Sequence, residues 1–205
     1  RGAPPYAVAT QRATAYGDSM DLTAIEIVGD RTATSRCDEG YIKVARLDVR
    51  NVYSDGSTSK PYACDVMSRP QCDAVVAVLY ALDGQGGIEV VLREAPRVPI
   101  YLRRDKTFVH PDPREYLSLH EVVAGVVEPS DPAGLEGLRH RAGAEALEEA
   151  GVTIDPSDFH PLGGETFASP GVTDEKIYFV AGHLPAGEEA TTPTGDGSTM
   201  EEWCV

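Results

Sequence analysis

The sequence predicts an α/β fold, a mixed domain preceded by a small antiparallel β-sheet. Three observations carry that reading. Short alternating apolar and polar stretches recur between Ala24 and Met67. A continuous β-branched run, Ala74–Leu82, is followed by a glycine-rich turn and another strand pattern. A single long segment, Pro132–Ala150, has helical composition and stops at a glycine. Strand patterns combined with one helical segment suit a mixed α/β architecture.

Taken in order, residues 1–20 are short, mixed and polar, and are expected to form a loose or partner-dependent arm. Ala24–Val28 and Tyr41–Val49 alternate as half-buried strands. Ser54-Asp-Gly-Ser57 is a turn, and Lys60–Met67 returns as another strand. Ala74–Leu82 reads as a strand buried on both faces. Asp83-Gly-Gln-Gly-Gly87 turns the chain, and Ile88–Arg93 is its hairpin partner. No helix pattern follows those glycines, so a hairpin explains them better than a phosphate loop. Tyr116–Val127 is a further strand region. Asp131 is an N-cap candidate, Pro132 suits the first helical position, and Gly151 suits the C-terminal glycine. Phe159–Pro161, Ile177–Ala181 and Glu202–Val205 read as further strand material.

A length of 205 residues suits one ordinary domain with a modest appendage, divided here into residues 1–70 and 71–205. Lys and Arg number 18 against 33 Asp and Glu, giving a net charge of −15. So acidic a surface repels phosphate backbones and anionic lipid, which argues against nucleic-acid and membrane partners. A small anionic ligand stays compatible when a metal cation bridges the two negative partners. The four cysteines form no Cys-x-x-Cys pair, so reduced thiols and a cytoplasmic location are expected. The five histidines have no metal-ligand spacing, and there is no Gly-x-Ser-x-Gly elbow around Ser169. Tyr178 and Trp203 read as core or edge residues rather than stacking platforms.

The chemistry concentrates in Glu145-Ala-Leu-Glu148-Glu149-Ala-Gly151-Val152. Glu145, Glu148 and Glu149 stand at i, i+3 and i+4, one face of a helix. They crowd its last turn, where the dipole disfavours negative charge. The opposite flank, Leu135, Ala142, Ala146 and Ala150, is an apolar stripe of mostly small residues that gives the acidic edge a fixed direction. The plainer reading is a solvated acidic face. Oxygen donors on such an edge suit Mg²⁺ or Mn²⁺, and that ion suits a diphosphate.

This stretch resembles the C-terminal half of a Nudix box, Gly-x5-Glu-x7-Arg-Glu-U-x-Glu-Glu-x-Gly-U with U aliphatic. Glu148-Glu149 match the paired glutamates, Glu145 the one before them, and Glu136 the first. The arginine position holds Ala144, and ten residues rather than five separate Gly125, taken as the opening glycine, from Glu136. Placing Asp131 at the first glutamate restores that spacing but destroys the rest of the motif, so an inserted loop is preferred. The flanks resemble the ADP-ribose pyrophosphatase branch of the family. They are Val90–Arg97, Glu121–Glu128 and Phe167-Ala-Ser-Pro-Gly-Val-Thr-Asp-Glu175.

The resemblance implies a Nudix α/β/α sandwich and a homodimer joined through the N-terminal sheet. The family's usual C-terminal helix has no counterpart within these residues. It implies Mg²⁺-dependent hydrolysis of ADP-ribose or a related nucleoside diphosphate sugar. Glu145 and Glu149 would bind metal, Glu148 would assist as ligand and in catalysis, and the Ala124 carbonyl would complete the site. Glu175 would activate water, its alternative being a solvated acidic turn. Arg93 and Arg97 would bind phosphate oxygens, unless they are ordinary surface arginines. Ala144 lacks the guanidinium that holds the family's glutamates, and Arg141, one turn before Glu145, is the candidate substitute. Without one, the chain would be a non-catalytic module that binds a nucleotide sugar.

Overall fold

The computed structural model describes Arg36, residues 38–83 and 85–184, and the backbone of Glu202–Cys204. The expected arm at residues 1–20 and the strand at Ala24–Val28 lie outside the described residues. In chain order the elements are β1 (Lys43–Val49), β2 (Tyr62–Ser68), β3 (Ala74–Leu82), β4 (Ile88–Val90), β5 (Leu92–Ala95) and the short α1 (Val98–Tyr101). A 3₁₀ turn, Leu102–Asp105, follows α1. Then come β6 (Leu119–Glu121), β7 (Val123–Val126), α2 (Leu135–Ala150), a 3₁₀ turn at Pro156–Asp158, β8 (Phe159–Pro161), β9 (Ile177–His183) and β10 (Glu202–Cys204). The α/β class expected from the sequence holds.

Strand β3 is the axis of a five-stranded sheet. It pairs with β9 in parallel along one edge and with β7 and β4 antiparallel along the other. β8 extends the sheet beyond β9. A smaller sheet has the order β10-β5-β6. Two stretches serve both sheets, since β4 passes into β5 at Val91 and β6 passes into β7 at Val122. The strand expected over Tyr116–Val127 is therefore two strands with a break between sheets. β1 and β2 form a separate antiparallel pair, with Lys43 opposite Ser68 and Val49 opposite Tyr62.

Helix α2 covers one face of the main sheet. Val75, Ala77, Leu79, Val123 and Val180 point into it and are essentially fully buried, as are Ala142, Ala146 and Ala150 across from them. Alanines spaced by four let the helix approach the sheet closely. Alternate positions of β3 are only half-buried, so it is not enclosed on both faces as its composition suggests. Leu135 is 39% exposed and does not belong to the buried stripe.

The two ends of α2 fare differently against the sequence. Gly151 closes it in the left-handed region, φ 55°, as its position indicates. The start is three residues later than expected, at Leu135, with Gly134 as the cap residue. Asp131 does not cap the helix. Its carboxylate is buried beneath Arg141, ten residues further on, and accepts the Glu128 backbone N–H at 2.8 Å. A tertiary ion pair has outcompeted a local cap.

Candidate functional site

The column of α2 beside the buried alanines is Arg141, Glu145 and Glu149, each one turn from the next. It runs along the β7 edge of the sheet. Gly125 lies there on the helix-facing side, and a Cβ built on it would overlap the Glu145 carboxylate. Glycine allows this close approach, and any larger residue there would make the Glu145 side chain move. The neighbouring Ala124 N–H donates to Glu149 at 3.1 Å. In an extended strand the carbonyl of a residue leaves on the same side as its N–H, so the Ala124 oxygen also faces away from β3.

Two buried guanidinium groups hold this edge. Arg93 of β5 is 3% exposed and lies 2.8 Å from Glu149 and 3.8 Å from Glu121. Arg141 donates to Asp131 at 3.0 and 3.2 Å, meets Glu128 at 2.9 Å and reaches Glu145 at 3.8 Å. Burial opposes the charge on Arg141, but its bonds to Asp131 and the surrounding carboxylates raise its pKa. Asp131 is pulled the other way. Burial disfavours its charge, yet Arg141, the Glu128 N–H and His140 hold its pKa below the ordinary value. Arg141, considered as the substitute beside Ala144, is thus within ion-pair distance of Glu145 but spends its hydrogen bonds on Asp131, and the shorter arginine contact to the glutamates is that of Arg93 with Glu149.

Glu145 is the exception among the anchored groups. Burial, then the nearby Glu149 and Glu148 charges, push its pKa up to about 7, against which Arg141 and Arg93 act only partly. Its side chain is 14% exposed. Crowded carboxylates of this kind share protons or take up a cation. Glu148 is exposed on the solvent side of the same turn, so two of the three glutamates face β7 and the third does not. Glu136, the first glutamate of the matched box, is also exposed.

Among the described residues no group of three or more His, Cys, Asp or Glu side chains is placed to hold a metal ion. The donor set is nonetheless of the kind Mg²⁺ uses. That ion is commonly bound by one or two carboxylates, with waters and substrate phosphates completing its octahedron, rather than by an all-protein cage. Glu145 and Glu149 supply two such carboxylates, and a cation would relieve the repulsion that raises the Glu145 pKa.

The remaining candidates fall into two places. Arg97 is committed to Glu121, with Nε 2.9 and 3.0 Å and Nη2 2.5 Å from the carboxylate oxygens. Arg93 and Arg97 therefore grip Glu121 from one side of the edge. Glu175 lies in the loop before β9, where Arg69 Nη2 donates to it at 2.5 Å. Burial opposes the Arg69 charge, and bonds to Glu175 and the Tyr41 hydroxyl outweigh it, raising the pKa. Ser68 Oγ donates to Asp174 at 2.9 Å and Met67 N–H to the Val172 carbonyl at 2.8 Å. The N-terminal hairpin thereby carries the Ser169–Glu175 loop. Ala74 pairs with Val126 on one side and Ile177 on the other, so Glu175 enters the same end of the sheet as Gly125. One strand, β3, separates β7 from β9, a lateral spacing of roughly 10 Å.

Sequence reading missed Arg69, and it weighed Asp131 only as a cap or a misplaced glutamate. A signal for Arg93 was present. Val91 and Ala95 flank it at period two and both are buried, which places Arg93 on the inward face. No family model and no curated protein sequence matches this chain.

Proposed function

We propose that the chain is a Nudix-type hydrolase that splits the diphosphate of ADP-ribose or a related nucleoside diphosphate sugar, using Mg²⁺ or Mn²⁺. The observation that supports it most is the convergence of Glu145 and Glu149 on the β7 backbone at Ala124–Gly125, with Glu145 too crowded to ionise normally. In this reading Glu145, Glu149 and the Ala124 carbonyl hold the ion, with Glu148 assisting from the solvent side. A divalent cation supplies neutralisation of the diphosphate and polarisation of phosphorus. Arg93 fixes the Glu149 carboxylate. Glu175, released from Arg69, accepts the proton of the attacking water. Arg97, partly exposed beside Glu121, would turn to the phosphate oxygens when substrate competes with Glu121 for it, whereas Arg93, expected as a second phosphate ligand, is buried and acts through Glu149 instead. The homodimer forms through the β1–β2 sheet, whose Leu47, Tyr62 and Met67 side chains are exposed, and the protein acts in the cytoplasm.

A non-catalytic nucleotide-sugar-binding module is the second reading. It is favoured by the closed ion pairs of Glu149 with Arg93 and of Glu175 with Arg69. Incubation with ADP-ribose, GDP-mannose and UDP-glucose, with and without Mg²⁺, separates the two. The enzyme yields nucleoside monophosphate and sugar phosphate only when metal is present. Saturable binding of one of these ligands with no product over many hours establishes the module instead.

A further inference from the structure

The connection between β5 and β6, residues 96–118, is far longer than a hairpin needs. It is ordered, opens with α1, and encloses a cleft of about 300 Å³ lined by Arg103, Arg104, Lys106, Phe108, Asp112 and Arg114. Four cations and one carboxylate among those residues are anomalous in a chain of net charge −15. The guanidinium groups are not loose. Arg103 lies 4.3 Å over Phe108, Arg104 4.0 Å over Tyr101 and Arg114 5.2 Å over Tyr116. Stacking occupies a guanidinium face and leaves the in-plane N–H edge for an acceptor. Asp112 ties the group together. It lies 3.3 Å from Arg103 Nη2 and accepts from the Tyr116 hydroxyl and the Arg114 backbone N–H, each at 3.3 Å.

We propose that this cleft is a binding site for a compact, phosphate-dense anion of about diphosphate size. Planar forks held by ring stacking match phosphate oxygens bidentately, and Lys106 adds a point charge at the rim. The volume is at the low end for ligand sites, too small for a whole nucleotide sugar. The cleft owes nothing to the α2 glutamates, so the proposal stands or falls apart from the hydrolase reading.

The test is calorimetric titration of the full chain with inorganic diphosphate in EDTA, where no metal can recruit the anion elsewhere. The expected result is saturable binding of one diphosphate per chain. Lys106→Glu and Arg114→Gln are each expected to weaken it roughly tenfold or more. Lys106 is exposed, so that variant keeps the test valid if Arg114→Gln misfolds. Arg46→Gln, on the separate β1–β2 pair, should leave affinity unchanged. Absence of saturable binding overturns the proposal. So does equal weakening by Arg46→Gln, which would mean general charge attraction, or full affinity in both Lys106→Glu and Arg114→Gln, which would place the anion outside the cleft.

Discussion

The acidic edge of α2 and the loop that carries Glu175 are both carboxylates gripped by arginine, yet they are built on different foundations. Glu145 and Glu149 project from a long helix whose neighbouring column, Ala142, Ala146 and Ala150, is fully buried against β3 and β7. Their anchoring arginines are 3% and 8% exposed. Glu175 projects from a loop, and its anchor, Arg69, follows β2 of a two-stranded sheet most of whose residues are exposed. Isolated two-stranded sheets are marginal in water. The core therefore fixes the position of the α2 carboxylates, whereas Glu175 is positioned by a peripheral element that can move. Groups that bind an ion benefit from the first arrangement, and a group that must exchange partners during a reaction cycle benefits from the second.

The largest expected effect lies on the rigid side. In the hydrolase reading, Glu149→Gln should reduce kcat by roughly a hundredfold or more, since it would remove a charged metal ligand while keeping shape. The same change leaves Arg93 buried beside a neutral amide, so unfolding free energy should fall by about 3 kcal/mol. Denaturant titration and steady-state kinetics on one preparation check both. Near-normal turnover at saturating Mg²⁺ would remove Glu149 from the metal site.

Next in size is the pH response of Glu145. Its folded pKa of about 7 lies above the ordinary 4.5, so between those values the folded chain binds more protons than the unfolded one. Stability from this group is complete below about pH 4.5 and is lost as pH rises through about 7. The total is about 3 kcal/mol. Glu145→Gln should therefore be more stable than the parent at pH 8 and should lose this part of the pH dependence. Urea midpoints from pH 5 to 8 read it directly, and a parent whose stability rises across that window would contradict the assignment.

The smallest effect is expected at the loop. Arg69→Ala should cost about 1 kcal/mol or less, because its pair with Glu175 is partly solvated and peripheral. If the hairpin positions Glu175, the variant should shift the pH profile of kcat while leaving substrate Kd nearly unchanged. A uniform loss in both, or none in either, would separate the hairpin from the chemistry.

The sequence conveys these two regions unequally. The glycine stop at Gly151 and the acid triplet are local patterns found where their spacing puts them, whereas of the hairpin partner expected over Ile88–Arg93 only Ile88–Val90 pairs with β3, and Leu92–Arg93 pass into the smaller sheet. Arg93 is half-legible, since period-two alternation turns it inward but does not say that it meets Glu149, fifty-six residues away. Asp131 is misleading, because N-cap chemistry is satisfied in sequence while Arg141 claims the carboxylate in space. Arg69 with Glu175 is invisible, because a contact spanning 106 residues leaves no mark on either neighbourhood. The arginine cluster of residues 103–114 is plain in composition, but only folding shows that its members stack around one cleft.

What the hydrolase reading rests on is that a divalent cation binds where Glu145 and Glu149 meet the Ala124–Gly125 backbone. Titration with Mn²⁺ at about pH 6.5, with bound ion counted by electron paramagnetic resonance and released protons by an indicator dye, addresses it without substrate. A cation beside Glu145 lowers its pKa and expels the proton it carries near neutrality. The expected result is saturable Mn²⁺ binding accompanied by proton release, with both abolished in Glu145→Gln. Saturable binding of the same strength in Glu145→Gln, or no proton released on binding, would contradict it.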